Sequence, residues 1–248
     1  MLQSQYMKFS RFVVVALIVV SGTVFLEGSL AGANTYPTVG DKIKLSAGPG
    51  GGTNGGGEFY WDILNKGVAN MDFISFCMED NELIGWGGTY VVGGITDAAK
   101  SGGLGGQTTP GSDPLDPRTA YLYTKFTDGT LSGFNYINEA KSGSALQLSI
   151  WYLEGEMLAG SSLEKAYNSN TLAKTFVATA QSAVDNGSWS GLGNVRVVNL
   201  FNIHADGSRG SNAQDQLALI PGPVPEPATM LLFGVGIVGL AGLRLRKK

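Results

Sequence analysis

The sequence predicts an α+β fold: a β-rich, sandwich-like body with a helical insertion, flanked by an N-terminal signal peptide and a C-terminal transmembrane helix. Strand patterns come first, helical patterns follow, and two further strand patterns close the body. This order lacks the regular strand–helix alternation of a doubly wound sheet. Hydrophobic residues make up 43% of the chain, and 37 glycines are present. The body is therefore expected to fold around a core and to contain many loops.

The first 33 residues have the order of a secretory signal peptide. Lys8 and Arg11 precede the apolar run 12–20, and small residues lead to an A-x-A cleavage site formed by Ala31 and Ala33. The apolar run is shorter than the roughly 20 residues that a membrane helix needs, although a permanent helix is the alternative. We expect export by the Sec translocon and cleavage by signal peptidase after Ala33.

At the other end, residues 228–245 are apolar and just long enough to cross a bilayer. A basic cluster overlaps and follows the end of this segment and consists of Arg244, Arg246, Lys247 and Lys248. Since a basic cluster of this kind stays in the cytoplasm, the body that precedes the segment is expected to face outward.

The segment before this apolar run has proline at alternate positions, at Pro221, Pro223, Pro225 and Pro227. Proline neither continues a helix nor donates to a sheet, so residues 221–227 are predicted to be an extended linker. The order Pro225-Glu226-Pro227, apolar span and basic cluster resembles the PEP-CTERM sorting signal of Gram-negative bacteria that make extracellular polysaccharide. An ordinary tail anchor is the alternative.

This resemblance implies a partner and a destination. An exosortase of the cytoplasmic membrane would recognise Pro225, Glu226 and Pro227, and the tail at 221–248 would be removed as the protein is sorted outward. The membrane is then a transient location. The final location would be the cell surface or the extracellular polysaccharide of a biofilm matrix.

Residues 34–220 are predicted to be one extracytoplasmic domain. Residues 34–227 carry 11 basic and 19 acidic residues, a formal net charge of −8. Such a body repels nucleic acid and anionic lipid, so no nucleic-acid partner is expected. One cysteine and one histidine exclude a disulfide framework and a Cys/His zinc cage within the chain.

Periodicity and turn residues predict the elements of the body in order. Strands are predicted at 38–45, 58–63, 73–78, 89–92, 195–203 and 216–220, with a flexible glycine loop at 48–57 and a second loop at 93–116. Helices are predicted from Asp116-Pro117 through 126, over 145–157, and over 163–184 with a break near 168–170.

The only cysteine, Cys77, lies on a predicted strand between Phe76 and Met78. A lone cysteine is usually a buried and inert hydrophobic residue. Gln147 lies beside the apolar face of a predicted helix that continues to Trp151, where a polar amide needs a partner.

An aromatic-Cys-apolar segment followed by an apolar-Gln-x-x-apolar segment resembles the Cys-Gln thioester domains of bacterial surface proteins. Phe76-Cys77-Met78 and residues 146–151 fill these two motifs, and residues 120–123 resemble the helix that precedes the second one. The resemblance spans residues 58–155.

The thioester resemblance implies a self-catalysed reaction without turnover, so the protein is not expected to be an enzyme. Cys77 would attack the side-chain amide carbon of Gln147, ammonia would leave, and an internal thioester would form. An external amine or hydroxyl would then attack the Gln147 carbonyl and attach the protein covalently to its target. Apolar neighbours, Phe76, Met78, Ile150 and Trp151, would keep water out of the pocket.

Several polar residues leave alternatives open. Glu79 and Asp80 either transfer protons or end the strand, and His204 is either a general base or a surface residue. Three turns, at 128–129, 185–188 and 206–208, combine Asp and Gly as calcium loops do, but none has the full ligand spacing. We therefore expect no metal site and no cofactor, with calcium as the alternative.

Two other functions remain alternatives. The first is a non-catalytic structural or carbohydrate-binding component of the polysaccharide matrix, in which tryptophans supply packing or sugar-stacking faces: Trp61, Trp86, Trp151 and Trp189. The second is a secreted hydrolase, although no Ser or Cys motif with a histidine stands out.

Overall fold

The computed structural model describes residues 36–53, 56–64, 72–104 and 111–222. The signal peptide with Ala31 and Ala33, the motif Pro225–Pro227 and the predicted sorting helix with its basic cluster lie outside the described residues. Within the described ranges, no helix is long and apolar enough to cross a membrane.

The described residues contain eight strands and four helices. The strands are β1 (Lys42–Thr53), β2 (Gly56–Ile63), β3 (Asp72–Ser75), β4 (Thr89–Thr96), β5 (Ala98–Lys100), β6 (Ser112–Pro114), β7 (Val195–Ile203) and β8 (Arg209–Leu219). The helices are α1 (Pro117–Thr127), α2 (Ala140–Leu153), α3 (Ser162–Ser169) and α4 (Thr171–Asp185). All four helices lie between β6 and β7, which confirms the predicted α+β class with its helical insertion.

Six strands form one antiparallel sheet in the order β3-β2-β1-β4-β7-β8, and β5 pairs with β6 in a small second sheet. The chain just beyond β3 also pairs with β8: Cys77 forms a bridge with Gln216, and the Leu217 N–H donates to the Phe76 carbonyl at 3.1 Å. The two ends of the large sheet therefore meet. A single sheet joined at this seam, with helices packed on it, replaces the expected sandwich of two sheets.

The predicted glycine loop at 48–57 is mostly strand. β1 continues to Thr53 and β2 begins at Gly56, with an irregular register between Ala47 and Gly52. Glycine inside a strand is typical of such bulges and of close backbone approach. The predicted loop at 93–116 likewise contains the end of β4 and the short strands β5 and β6. These two strands have three residues each, too few to show the alternation of polar and apolar side chains that indicates a strand.

The helix boundaries follow side-chain caps. Asp116 accepts a hydrogen bond from the Arg118 N–H at 2.7 Å at the start of α1, as predicted. Asn170 accepts one from the Ala173 N–H at 3.0 Å, which separates α3 from α4 at the predicted break.

Helix α2 packs on β1 and β2 and is buried on nearly all sides. The Ser149 hydroxyl donates to the Ala145 carbonyl at 2.7 Å and lies 3.0 Å from the Ala173 carbonyl of α4. Its second half is mostly apolar, as expected for a helix that lies in the core. This placement carries Gln147 of α2 into the centre of the protein.

Tyr123 of α1 joins the helices to the seam of the sheet. Its hydroxyl donates to the Ile74 carbonyl of β3 at 2.6 Å and lies 3.2 Å from the Leu217 carbonyl of β8. Burial raises the pKa of Tyr123. The hydroxyl therefore stays protonated and holds both edges of the sheet.

We expect Tyr123→Phe to lower the free energy of unfolding by about 1–3 kcal/mol, because the Ile74 carbonyl loses the Tyr123 hydroxyl as its donor. Chemical denaturation measures this change. Tyr152→Phe is the matched control, because the Tyr152 side chain is 46% exposed and its ring still stacks on Tyr167. Equal losses in the two variants would contradict the role of Tyr123.

Glu154, the C-cap of α2, lies under the start of α1 and accepts the Asp116 N–H at 3.3 Å. Burial raises the pKa of Glu154 from 4.5 to about 8. Between these values the folded protein holds a proton that the unfolded chain has lost. The contribution of Glu154 to stability is therefore complete below pH 4.5 and declines as the pH rises towards 8.

We expect Glu154→Gln to reduce the loss of stability between pH 5 and pH 8 by on the order of a few kcal/mol, since the amide does not ionise. Denaturation midpoints at the two pH values measure the effect. Asp128→Asn, at the exposed C-cap of α1, serves as the control and should keep the wild-type dependence on pH. A Glu154→Gln profile identical to that of the wild type would refute this expectation.

Candidate functional site around Cys77 and Gln147

Cys77 and Gln147 meet in the core, and each is 0% exposed. The Cys77 N–H donates to Gln147 Oε1 at 3.0 Å, and Gln147 Nε2 donates to the Cys77 carbonyl at 3.0 Å. The side-chain amide thus binds both backbone groups of Cys77, as a residue of a neighbouring strand would. The two residues that the sequence motifs singled out, 70 positions apart, are in direct contact.

The Gln147 amide occupies a place where strand pairing would otherwise continue. In the β2–β3 register Phe59 faces Ser75, so two residues further along each strand Gly57 would face Cys77. The Gly57 N–H instead donates to Gln147 Oε1 at 3.1 Å. The amide oxygen therefore accepts two backbone N–H groups.

Two N–H donors on one carbonyl oxygen have a chemical consequence. They draw electrons from the amide carbon and stabilise the negative charge that would develop on Oε1 when a nucleophile attacks. They belong to Gly57, which is paired with Gly52 of β1, and to Cys77, which is bridged to Gln216 of β8, so strand pairing holds both donors in place.

The absence of a side chain at Gly56 allows the β2 backbone to cover Gln147. A Cβ at this position would lie 2.4 Å from the Trp151 ring and 3.1 Å from Gln147 Cδ. Trp151 is one helical turn beyond Gln147 and is fully buried. Backbone and indole together close this side of the amide to water.

The Cys77 thiol is held by two glutamines of β8. It donates to Gln214 Oε1 at 2.8 Å, while Gln216 Nε2 donates to its sulfur at 3.5 Å. Burial is the main cause that raises the pKa of Cys77, whereas hydrogen bonds from Gln216 and the Gly57 N–H lower it. The Gly57 N–H that donates to Gln147 Oε1 thus also acts on the sulfur.

The four residues expected to line the pocket are all buried: Phe76, Met78, Ile150 and Trp151. They have different surroundings. The Phe76 ring packs edge-on against Phe126 of α1 with ring centroids 5.2 Å apart, whereas Trp151 contacts the glycine that covers Gln147. Phe76 thus fixes the helices on the seam, and Trp151 shields the amide.

Two acidic residues that follow Cys77, Glu79 and Asp80, form hydrogen bonds next to the site. Glu79 Oε2 accepts the Asp215 N–H at 3.1 Å, and the Glu79 carbonyl accepts Gln214 Nε2 at 2.7 Å, which orients that glutamine towards the thiol. Burial, then the charges of Asp215 and Glu82, raise the pKa of Glu79. The Asp80 N–H donates to Glu156 Oε2 at 3.2 Å.

The other candidate residues are not joined to this site. His204 lies in the exposed turn between β7 and β8, where its N–H donates to the Ser208 carbonyl at 2.9 Å. In the part of the chain that the structure describes, no group of three or more His, Cys, Asp or Glu residues could hold a metal ion. Each of the three Asp-Gly turns lies in this part.

The tryptophans divide into two groups. Trp61 and Trp151 are fully buried, so of the two roles considered for the tryptophans they have packing and not sugar stacking. Trp86 is 54% exposed and lies on Phe59 with ring centroids 5.0 Å apart. Trp189 is partly buried against Tyr121.

Sequence reasoning missed Gln214 and Gln216. Residues 213–217 read Ala-Gln-Asp-Gln-Leu, and three consecutive polar residues are typical of a turn or an exposed edge. They are buried where β7 pairs with one edge of β8 and the segment after β3 pairs with the other. The one sequence feature that indicated their burial was the apolar run 217–220, which follows them directly in the predicted strand.

Comparison with known families finds the PEP-CTERM protein-sorting motif at residues 223–247. The comparisons with curated proteins and with solved structures gave no match. The matched segment contains Pro225, Glu226 and Pro227, as the sequence resemblance indicated, but does not include the Cys77–Gln147 site. The chain therefore carries a PEP-CTERM sorting signal and is an exported protein that an exosortase sorts to the cell envelope through a membrane intermediate.

Proposed function

We propose that this exported protein forms an internal thioester between Cys77 and Gln147 and uses it to attach covalently to an amine or hydroxyl at a surface or in the extracellular matrix. The observation that carries this proposal is the buried contact in which Gln147 Oε1 accepts the N–H groups of both Cys77 and Gly57. A glutamine that served only to fill the core would not need a nucleophile beside its polarised carbonyl.

Formation of the thioester needs no residue outside this site. The Cys77 sulfur attacks Gln147 Cδ, a C–S bond forms, the C–N bond breaks, and the thiol proton leaves with the nitrogen as ammonia. Fixed neighbours of this kind reach effective molarities of about 10⁵ M or more. The two N–H donors stabilise the oxyanion, and Trp151 with the β2 backbone excludes water.

In the attachment step, the nucleophile comes from outside the protein and Cys77 is the leaving group. The thioester carbonyl is an electrophile, and an incoming amine forms an amide with Gln147 while Cys77 regains its thiol. Residues 34–227 have a formal net charge of −8, which favours the approach of cationic lysine side chains. A covalent bond would hold the protein at its target after the sorting signal has been removed.

We expect the intact mass of the purified body, residues 34–220, to fall below its sequence mass by the mass of one ammonia. Methylamine should react with the thioester and raise the protein mass by the mass of one methylamine. Peptide mapping should locate the added group at Gln147. Cys77→Ala and Gln147→Glu should both show their full sequence masses and no methylamine adduct. Gln181→Glu, a partly exposed glutamine of α4, is the control and should behave as the wild type does.

A full wild-type mass would contradict the thioester, provided that Cys77 is freely alkylated after unfolding. It would leave a non-catalytic matrix component as the function, with the exposed Trp86 as a candidate contact.

We expect Gly56→Ala to shorten the lifetime of the thioester in water and to lower stability by about 1–3 kcal/mol, since the new methyl group forces the hairpin away from Trp151 and Gln147. The decay of methylamine-reactive protein measures the lifetime. The control is Gly222→Ala, whose Cβ would meet only Asn194 at 3.9 Å, and both variants are made in a body extended to residue 222. Unchanged lifetimes in both variants would show that the β2 backbone does not protect the site.

A further inference from the structure

We propose that Gln216 is a catalytic residue of the attachment step and that its side-chain N–H stabilises the Cys77 sulfur as it leaves Gln147. This inference rests on the proposed thioester. It goes beyond the Cys-Gln pair because it assigns a role to a residue of β8 that belongs to neither sequence motif.

The orientation of the Gln216 amide is fixed by its other contacts. Gln216 is 1% exposed, and its Oε1 lies 3.2 Å from the hydroxyl of Ser75, whose shortest contact is with the Leu217 carbonyl at 2.7 Å. Its Nε2 lies 3.5 Å from the Cys77 sulfur and 3.3 Å from Gln214 Oε1. Both N–H groups of this amide thus have acceptors, and one of the two acceptors is the reacting sulfur.

A leaving sulfur at this position needs a donor. Burial raises the pKa of Cys77, and the charges of Glu79 and Asp80 raise it further, so a bare thiolate is costly here. Among the described residues, no Lys, Arg or His hydrogen-bonds to this sulfur. The Gln216 N–H and the Gly57 N–H lower the same pKa, and Gly57 is already engaged by the amide oxygen.

The two glutamines of β8 have complementary roles in this step. The amine nitrogen bonds to Gln147 Cδ, the C–S bond breaks, and its electron pair goes to the Cys77 sulfur while Gln216 donates to it. A proton from the amine nitrogen then ends on the sulfur. The restored thiol donates to Gln214 Oε1, as in the free protein, where this distance is 2.8 Å.

The test uses the body with its thioester formed and compares Gln216→Met with wild type. Mass spectrometry follows two reactions of each protein, with methylamine and with water. We expect both rates to fall by about 10–100-fold. In each reaction the leaving sulfur carries negative charge, and in the variant it lacks the hydrogen bond that Gln216 donates to it. A merely structural Gln216 would instead loosen the pocket, and hydrolysis would become faster. Gln181→Met is the matched control and should leave both rates unchanged.

A second variant, Gln216→Glu, keeps the size of the side chain and makes its donor dependent on pH. A protonated carboxyl donates to the sulfur and an ionised one does not. With hydroxylamine as the nucleophile, the ratio of the variant rate to the wild-type rate should be near one at low pH and should fall as the pH rises. A ratio that does not change with pH would overturn the role of Gln216.

The remaining outcomes separate this inference from the proposed function. If the wild type shows no loss of ammonia, the thioester itself is refuted. If the wild type forms the thioester and both Gln216 variants react as fast as it does, the role of Gln216 alone is refuted. If both variants fold but form no thioester, Gln216 acts in formation of the bond, and its assignment to the leaving step is wrong.

Discussion

The structure depends on one buried amide. Gln147 binds the N–H and carbonyl of Cys77 and the N–H of Gly57, so it connects a helix to two strand segments where the sheet would otherwise pair with itself. A buried polar side chain must find partners for each of its hydrogen-bonding groups, and here it finds them in backbone groups that the sheet leaves open. Loss of this side chain would leave those backbone groups unsatisfied in the core.

Closure of the sheet brings the rest of the site to this amide. The segment after β3 pairs with β8 through the bridge between Cys77 and Gln216, and alternation along an extended chain then decides which groups face which neighbour. The Phe76 carbonyl faces β8, while both backbone groups of Cys77 face Gln147. The same closure brings two glutamines to the sulfur. The pairing of the segment after β3 with β8 thus brings together Cys77, Gln147 and the residues around them.

Much of the fold was accessible from sequence, because local rules govern it. The Asp116-Pro117 cap predicted the start of α1, Asn170 lies within the predicted break, and β7 was predicted from its apolar run. The continuation of β1 through its glycines, the seam and the burial of Gln214 and Gln216 were not predictable. The seam and the burial of the two glutamines depend on backbone pairing between segments about 140 residues apart, and a sequence pattern reports only near neighbours. The continuation of β1 depends on pairing with β2 through glycines, which have no side-chain pattern that could indicate a strand. The sequence motifs identified Cys77 and Gln147, but only the structure shows that the two residues are in contact.

The most direct measurement of the central claim is the electron density of a crystal of the wild-type body at high resolution. The account predicts unbroken density from the Cys77 sulfur to Gln147 Cδ, with no nitrogen on that carbon and with Oε1 still held by the Cys77 and Gly57 N–H groups. Separate density for an intact thiol and an intact amide, in protein that was never exposed to amines, would contradict it.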